Sequence, residues 1–208
     1  MTVGYGSEQE DFWAGDFGDE YTERNSTHDS LPARVHLFST VFAHYDAPAS
    51  CLELGANVGM NLRALKILYP QQEQFGIEIN SGAALELERE IGHGNVYNGS
   101  FLNWLPDKKY ECAMTVGVLI HIAPDDLERA YSQLGASSSK YVLMAEYFNP
   151  TPVEIEYRGH RGKLYKRDFC HEFLEVNAGF KLLDYGFVYS GGRFPLDDLT
   201  WFLCKRTP

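Results

Sequence analysis

The stretch "ASCLELGANVGMNLRALKILYP", residues 49–70, constrains the fold more than any other part of the chain: a short apolar run ends on glycine and passes into a helical pattern that Pro70 stops. The same alternation returns as "QFGIEI" and "GAALELEREI", as "NVYNGSF", as "YECAMTVGVLIHI" with "PDDLERAYSQLGAS", and as "KYVLMAEYF". Strands alternating with helices predict an α/β class: a doubly wound, mostly parallel sheet with helices on both faces. Ahead of the first strand, "LPARVHLFSTVFAHY" reads as a helix with Pro32 in its first turn. The end of the chain breaks the rhythm. "KRDFCHEFLEVNAG" reads as a helix, and "FKLLDYGFVYS" and "LTWFLCKR" as two strands joined by a short Gly/Pro turn, which predicts an antiparallel C-terminal hairpin at the sheet edge.

A chain of 208 residues with 44 % hydrophobic content can bury one core without staples. Its net charge of -11 repels a phosphate backbone at long range, which argues against a nucleic-acid partner. Cys51, Cys112, Cys170 and Cys204 show no C-x-x-C spacing and read as reduced, buried thiols. The first residues lack the pattern of a signal peptide, and no apolar run approaches the roughly 20 residues of a membrane span. The expectation is a soluble, cytoplasmic protein with no membrane partner; oligomeric state is left open.

The turn after the first strand has the spacing E-x-G-x-x-x-G, Glu53, Gly55 and Gly59, and not the G-x-G-x-x-G that seats a pyrophosphate. Glycine at 55 lets the backbone approach a ligand closely, while the acid at 53 repels a diphosphate and suits an ammonium or sulfonium group. Glu78 ends the second strand, about 20 residues beyond the glycines, where a carboxylate can accept hydrogen bonds from ribose hydroxyls. Ile79 beside it can pack on a purine, and Gly99, Ser100 and Phe101 follow the third strand where an adenine edge would lie. Together these residues describe a pocket for adenosine joined to a cationic amino acid.

"LELGANVGMN", "GIEIN", "NGSF" and "GVLIHI", in this order, resemble the class I S-adenosylmethionine-dependent methyltransferases over about residues 50–148. The resemblance implies a Rossmann-like sheet of seven strands and S-adenosyl-L-methionine as cofactor, with Asn57 and Gly117 of the same motifs in its pocket. Ser100 stands where many members carry an acid for the adenine amino group.

Residues 1–30 read as a lid ahead of a methyltransferase domain at 31–208. In this reading Trp13, Phe17 and Tyr21 cover the methionine end and exclude water, and Arg24 meets the cofactor carboxylate or an anionic substrate. The alternative is an aromatic helix packed on the domain. "FWAGDFGDEYTERN", "GVLIHIAPDDL", "EYFNPTPVEIEYRGH" and "LYKRDF" resemble the pseudaminic acid biosynthesis-associated methyltransferases. That likeness covers nearly the whole chain and implies a sugar or sugar-linked acceptor in surface-glycan synthesis.

On the acceptor side His121, expected at the end of the fourth strand, is the candidate general base, with a pocket-lining or packing histidine as the alternative. Arg158, His160, Arg161, Lys163, Lys166 and Arg167 read as a basic loop suited to a small anionic acceptor, or else as a solvated charged turn. Arg158, Arg161 and Lys163, with Tyr147 and Asn149, are the substrate-binding candidates; Glu146 reads as a second base or a structural anchor. The other histidines, His28, His36, His44, His93 and His171, have no metal-ligand spacing. A protein or RNA methyltransferase, a catalytically silent cofactor-binding subunit and a nicotinamide dehydrogenase are the competing readings.

Overall fold

The structure, a computed structural model, describes residues 6–25 and 30–207, the side chains of residues 23–25 excepted. These residues form nine strands and seven α-helices, of which the first five strands and the helices among them follow the predicted alternation. Strands β1 (Ser50–Leu54), β2 (Glu73–Glu78), β3 (Val96–Asn98), β4 (Tyr110–Val116) and β5 (Ser138–Glu146) are parallel. Strand β9 (Thr200–Arg206) runs antiparallel between β5 and β8 (Phe180–Phe187), giving one seven-stranded sheet in the order β3-β2-β1-β4-β5-β9-β8.

Side chains of a strand alternate between faces, and here each face has its own core. Leu52 and Leu54 of β1, Ala113 of β4 and Val142 and Met144 of β5 join one cluster with Phe169 and Phe173 of α7 (Phe169–Val176) and with α6 (Leu127–Ser137). Cys51, Cys112, Met114, Tyr141 and Leu143 join the other, with Leu37 and Phe38 of α3 (Leu31–Val41), Leu62 and Leu65 of α4 (Met60–Leu68) and Leu87 of α5 (Ser81–Ile91). Burial on both sides is why the strands read as continuous apolar runs. All four cysteines are free and buried. No helix among the described residues is long and apolar enough to cross a membrane.

Three predicted features differ. The fourth strand ends at Val116, and His121 lies in a 3-10 turn, Leu119–His121, after Gly117 turns the chain with φ 67°. The last two strands are connected by residues 188–199, not by a short turn. The basic stretch is a hairpin: β6 (Val153–Tyr157) pairs antiparallel with β7 (His160–Lys166) as a separate two-stranded sheet. Arg158 and Gly159 both have positive φ, 50° and 83°, as a two-residue type I′ turn requires.

Candidate functional site

Ligands of doubly wound sheets bind outside the carboxyl ends of the strands, and the cleft of this protein lies there. It holds about 1160 Å³ of empty space, the open solvent at its mouth included. Gly55, Asn57, Glu78, Ile79, Ser100, Phe101, Gly117 and Tyr21 all line it, so eight of the ten predicted cofactor residues meet at one place.

The floor is held by backbone. Gly55, Asn57 and Gly59 have φ of 74°, 48° and 83°, and a Cβ on Gly55 would stand 2.7 Å from Val118 Cγ2, so only glycine fits there. Gly59 does not line the cleft: it opens α4 from behind, where a Cβ would meet Leu87 Cδ1 at 2.7 Å. The Gly55 and Ala56 N–H groups both donate to Ile77 O at 2.9 Å, tying the loop to β2. Glu78 closes this unit: Oε2 accepts from Asn57 N and Oε1 from Asn80 N, both at 2.7 Å. Burial pushes its carboxyl above the ordinary range while these N–H donors pull it back. Ser100 Oγ accepts from Leu102 N at 3.2 Å, which fixes the turn after β3.

Glu53 is fully buried and lies under the cleft, not in its wall. Alternation along β1 turns it to the α3–α4 face, where Asn61 Nδ2 donates to its Oε1 at 2.6 Å and Arg34 Nη1 donates in turn to Asn61 Oδ1. Burial raises its carboxyl to about 8 against the opposing pull of Asn61 and Arg34, and its Oε2 has no hydrogen-bond partner. Asn61 and Arg34 do line the cleft. The sequence reading missed both: Asn61 sits in the first turn of α4, beside the glycine loop, whereas nothing in the sequence marks Arg34.

Over the cleft lie α1 (Glu8–Ala14) and α2 (Asp16–Asn25). Helix α2 touches both walls, through Thr22 Oγ1 to Asn57 Oδ1 at 3.4 Å and Asn80 Nδ2 to Asp19 Oδ1 at 2.7 Å. Trp13 packs edge-on against Phe17 and Tyr21, with ring centroids 5.3 and 5.2 Å away, and lies 4.5 Å from the His121 ring. The Tyr21 hydroxyl is pushed up to about 12, chiefly by burial. Arg24 lies outside the described side chains.

His121 is buried at the cleft wall. Its Nδ1 donates to Lys163 O at 2.7 Å, which fixes the tautomer and leaves Nε2 as the acceptor nitrogen. Burial lowers its pKa to about 4, so the ring is neutral at pH 7. Glu146 is the anchor of this turn: its carboxylate accepts from Val118 N at 3.2 Å and Ile120 N at 3.4 Å, and burial raises it to about 7.

The five remaining substrate candidates do not line the cleft. Lys163 is buried, bonds Glu8 Oε1 at 2.7 Å and stands 4.9 Å over the Phe12 ring, so its charge ties the hairpin to α1. Arg158 and Arg161 are exposed at and beside the hairpin tip, Tyr147 carries Lys166 Nζ 5.3 Å over its ring, and Asn149 donates to Thr151 O. Arg167 pairs with Glu172 at 2.8 Å. Among the described residues the cation that lines the cleft is Arg34.

Two polar atoms of α1 complete the wall. Glu10 is 8 % exposed, and its Oε1 and the Trp13 Nε1 are buried without hydrogen-bond partners among the described residues. An unsatisfied buried group of this kind costs about 1–3 kcal/mol.

No protein-family model matches the chain, and no curated protein matches it in sequence. Solved structures do match in fold. The magnesium protoporphyrin IX methyltransferase of Synechocystis PCC 6803 with bound SAM aligns at TM-score 0.66 and 13 % identity, over 99 % of this chain and 100 % of that one. The sugar N-methyltransferase KedS8 from Streptoalloteichus aligns at TM-score 0.66 and 14 % identity, over 100 % and 99 % of the two chains. The glycopeptide N-methyltransferase MtfA aligns at TM-score 0.64 and 14 % identity, over 86 % and 91 %. At these identities the likeness establishes a Rossmann-like methyltransferase fold.

Proposed function

We propose that the protein is an S-adenosyl-L-methionine-dependent methyltransferase acting by in-line transfer on a small sugar-like acceptor. The observation that carries this reading is Glu78, a carboxylate at the end of β2 locked by two backbone N–H groups inside a cleft floored by the left-handed glycine loop. Its free lone pairs suit ribose hydroxyls, Ile79 and Phe101 suit the adenine faces, Ser100 suits its edge, and Gly117 leaves room beside it. Asn61 and Arg34 suit the amino-acid end; Glu53 acts through them as a positioning residue. The fit to the residues present is good, since a diphosphate would face the Glu78 carboxylate in the cleft wall.

When bound, the cofactor supplies a methyl group activated by a sulfonium. The chain's own residues align the acceptor and exclude water: α1 and α2 cover the cleft, and the rings of Trp13 from α1 and Tyr157 from the hairpin pack against His121. His121 Nε2 takes the proton the acceptor loses. A neutral imidazole of low basicity suffices, because an oxygen or nitrogen that has gained a methyl is far more acidic than before. The sugar N-methyltransferase and glycopeptide N-methyltransferase among the structural neighbours support a small or sugar-bearing acceptor. The finer reading, a carboxylated sugar of the pseudaminic acid type or a related surface-glycan precursor, is supported by the likeness of the "FWAGDFGDEYTERN" and "EYFNPTPVEIEYRGH" stretches.

Calorimetry with S-adenosylhomocysteine against NAD tests the cofactor: the former binds and the latter does not, and the reverse result removes the reading. Incubation of labelled S-adenosylmethionine with surface-glycan precursors, followed by mass spectrometry, identifies the acceptor.

A further inference from the structure

Within the methyltransferase reading, on which the following rests, we propose that Glu10 and Trp13 form an acceptor subsite that takes the hydroxylated edge of a sugar ring. Glu10 and Trp13 stand three residues apart on α1, hence on one helix face, and both line the cleft. Ser7 Oγ donates to Glu10 Oε2 at 3.3 Å, which sets the carboxylate and leaves Oε1 unpartnered. Trp13 Nε1 is likewise unpartnered, and its ring lies 4.5 Å from that of His121. One wall of the cleft therefore holds an acceptor and a donor, both buried and, among the described residues, unanswered by protein, with the ring of the donor beside the imidazole.

The chemistry that answers both is a group that donates to a carboxylate while its neighbour accepts from an indole N–H. Adjacent hydroxyls of a sugar do this, since each is donor and acceptor. The arrangement also explains the burial of a carboxylate in a helix otherwise packed through Phe12 and Trp13: removing Oε1 from water is uncompensated until a ligand arrives.

The test uses the full chain, with N-acetylneuraminic acid, glucosamine and glucose as probes, with and without S-adenosylhomocysteine. The indole N–H resonance of Trp13, identified by its loss in Trp13→Phe, shifts on addition of at least one probe. Glu10→Gln and Trp13→Phe each weaken that probe about tenfold, while in Glu10→Gln the affinity for S-adenosylhomocysteine stays within about twofold and the melting temperature holds or rises. A Trp13 resonance unmoved by all three probes overturns the subsite, as does unchanged probe affinity in Glu10→Gln or a fall in its melting temperature with binding intact. Failure of S-adenosylhomocysteine to bind while Trp13 still responds overturns the methyltransferase reading and leaves the subsite standing.

Discussion

The two halves of the cleft are built by different means. At the end proposed for the cofactor, backbone does the holding: Ile77 O accepts two loop N–H groups, and Glu78 accepts two more. At the end proposed for the acceptor, side chains do it, from segments far apart in the chain. Trp13 meets His121, Phe17 meets Tyr157 and His160, and Lys163 meets Glu8. A site fixed by backbone tolerates little change of ligand, whereas one assembled from helices α1 and α2 and the β6–β7 hairpin can be re-cut by substituting a few side chains without disturbing the sheet.

The comparison breaks first at Glu78. Glu78→Ala removes two charge-assisted hydrogen bonds, together about 3 kcal/mol, so S-adenosylhomocysteine affinity falls on the order of 100-fold by calorimetry. If the loss were under about threefold, the backbone would not be what fixes this end. Next comes His121→Ala, for which kcat falls about 100-fold while S-adenosylhomocysteine affinity changes little. Its pH behaviour has a definite sign. The folded value of about 4 lies below the ordinary 6.5, so the stability this neutral ring contributes is whole above about pH 6.5 and is lost as pH falls toward 4. The urea midpoint therefore falls less between pH 7 and pH 5 in His121→Ala than in the parent, and the parent's kcat keeps its imidazole-dependent component down to about pH 5. The smallest effect is Lys163→Met, which cuts the Glu8 tie but keeps the packing on Phe12. Acceptor KM rises about threefold with kcat unchanged, because Glu8 itself is largely exposed.

The same division decides what could be read from the sequence. Glu78, Gly55 and Asn57 announce themselves because a parallel strand, a turn and a helix are contiguous, and residues that line the cleft sit at fixed offsets along them. Glu53 shows the limit of that logic: it stands on the same strand and loop, but the period-two alternation of β1 sends its side chain beneath the floor toward Asn61. Arg34 was invisible because α3 reaches the cleft only after the chain has folded back over β1. Lys163 misled for a related reason, since a cluster of cations in sequence does not reveal that Glu8, 155 positions away, already takes one of them. The hairpin did leave a trace. Val153, Ile155 and Tyr157 alternate with Glu154 and Glu156 ahead of an Arg-Gly pair, the pattern of a strand entering a tight turn.

Strand β9 comes last in chain order yet fills an interior place between β5 and β8. While the ribosome is still making it, β5 presents a ready edge whose Leu143 and Ala145 will be fully buried in the finished protein. The nascent chain thus carries a sticky flank until β9 emerges, and trimming β9 would remove an interior slat from the sheet and set β8 adrift.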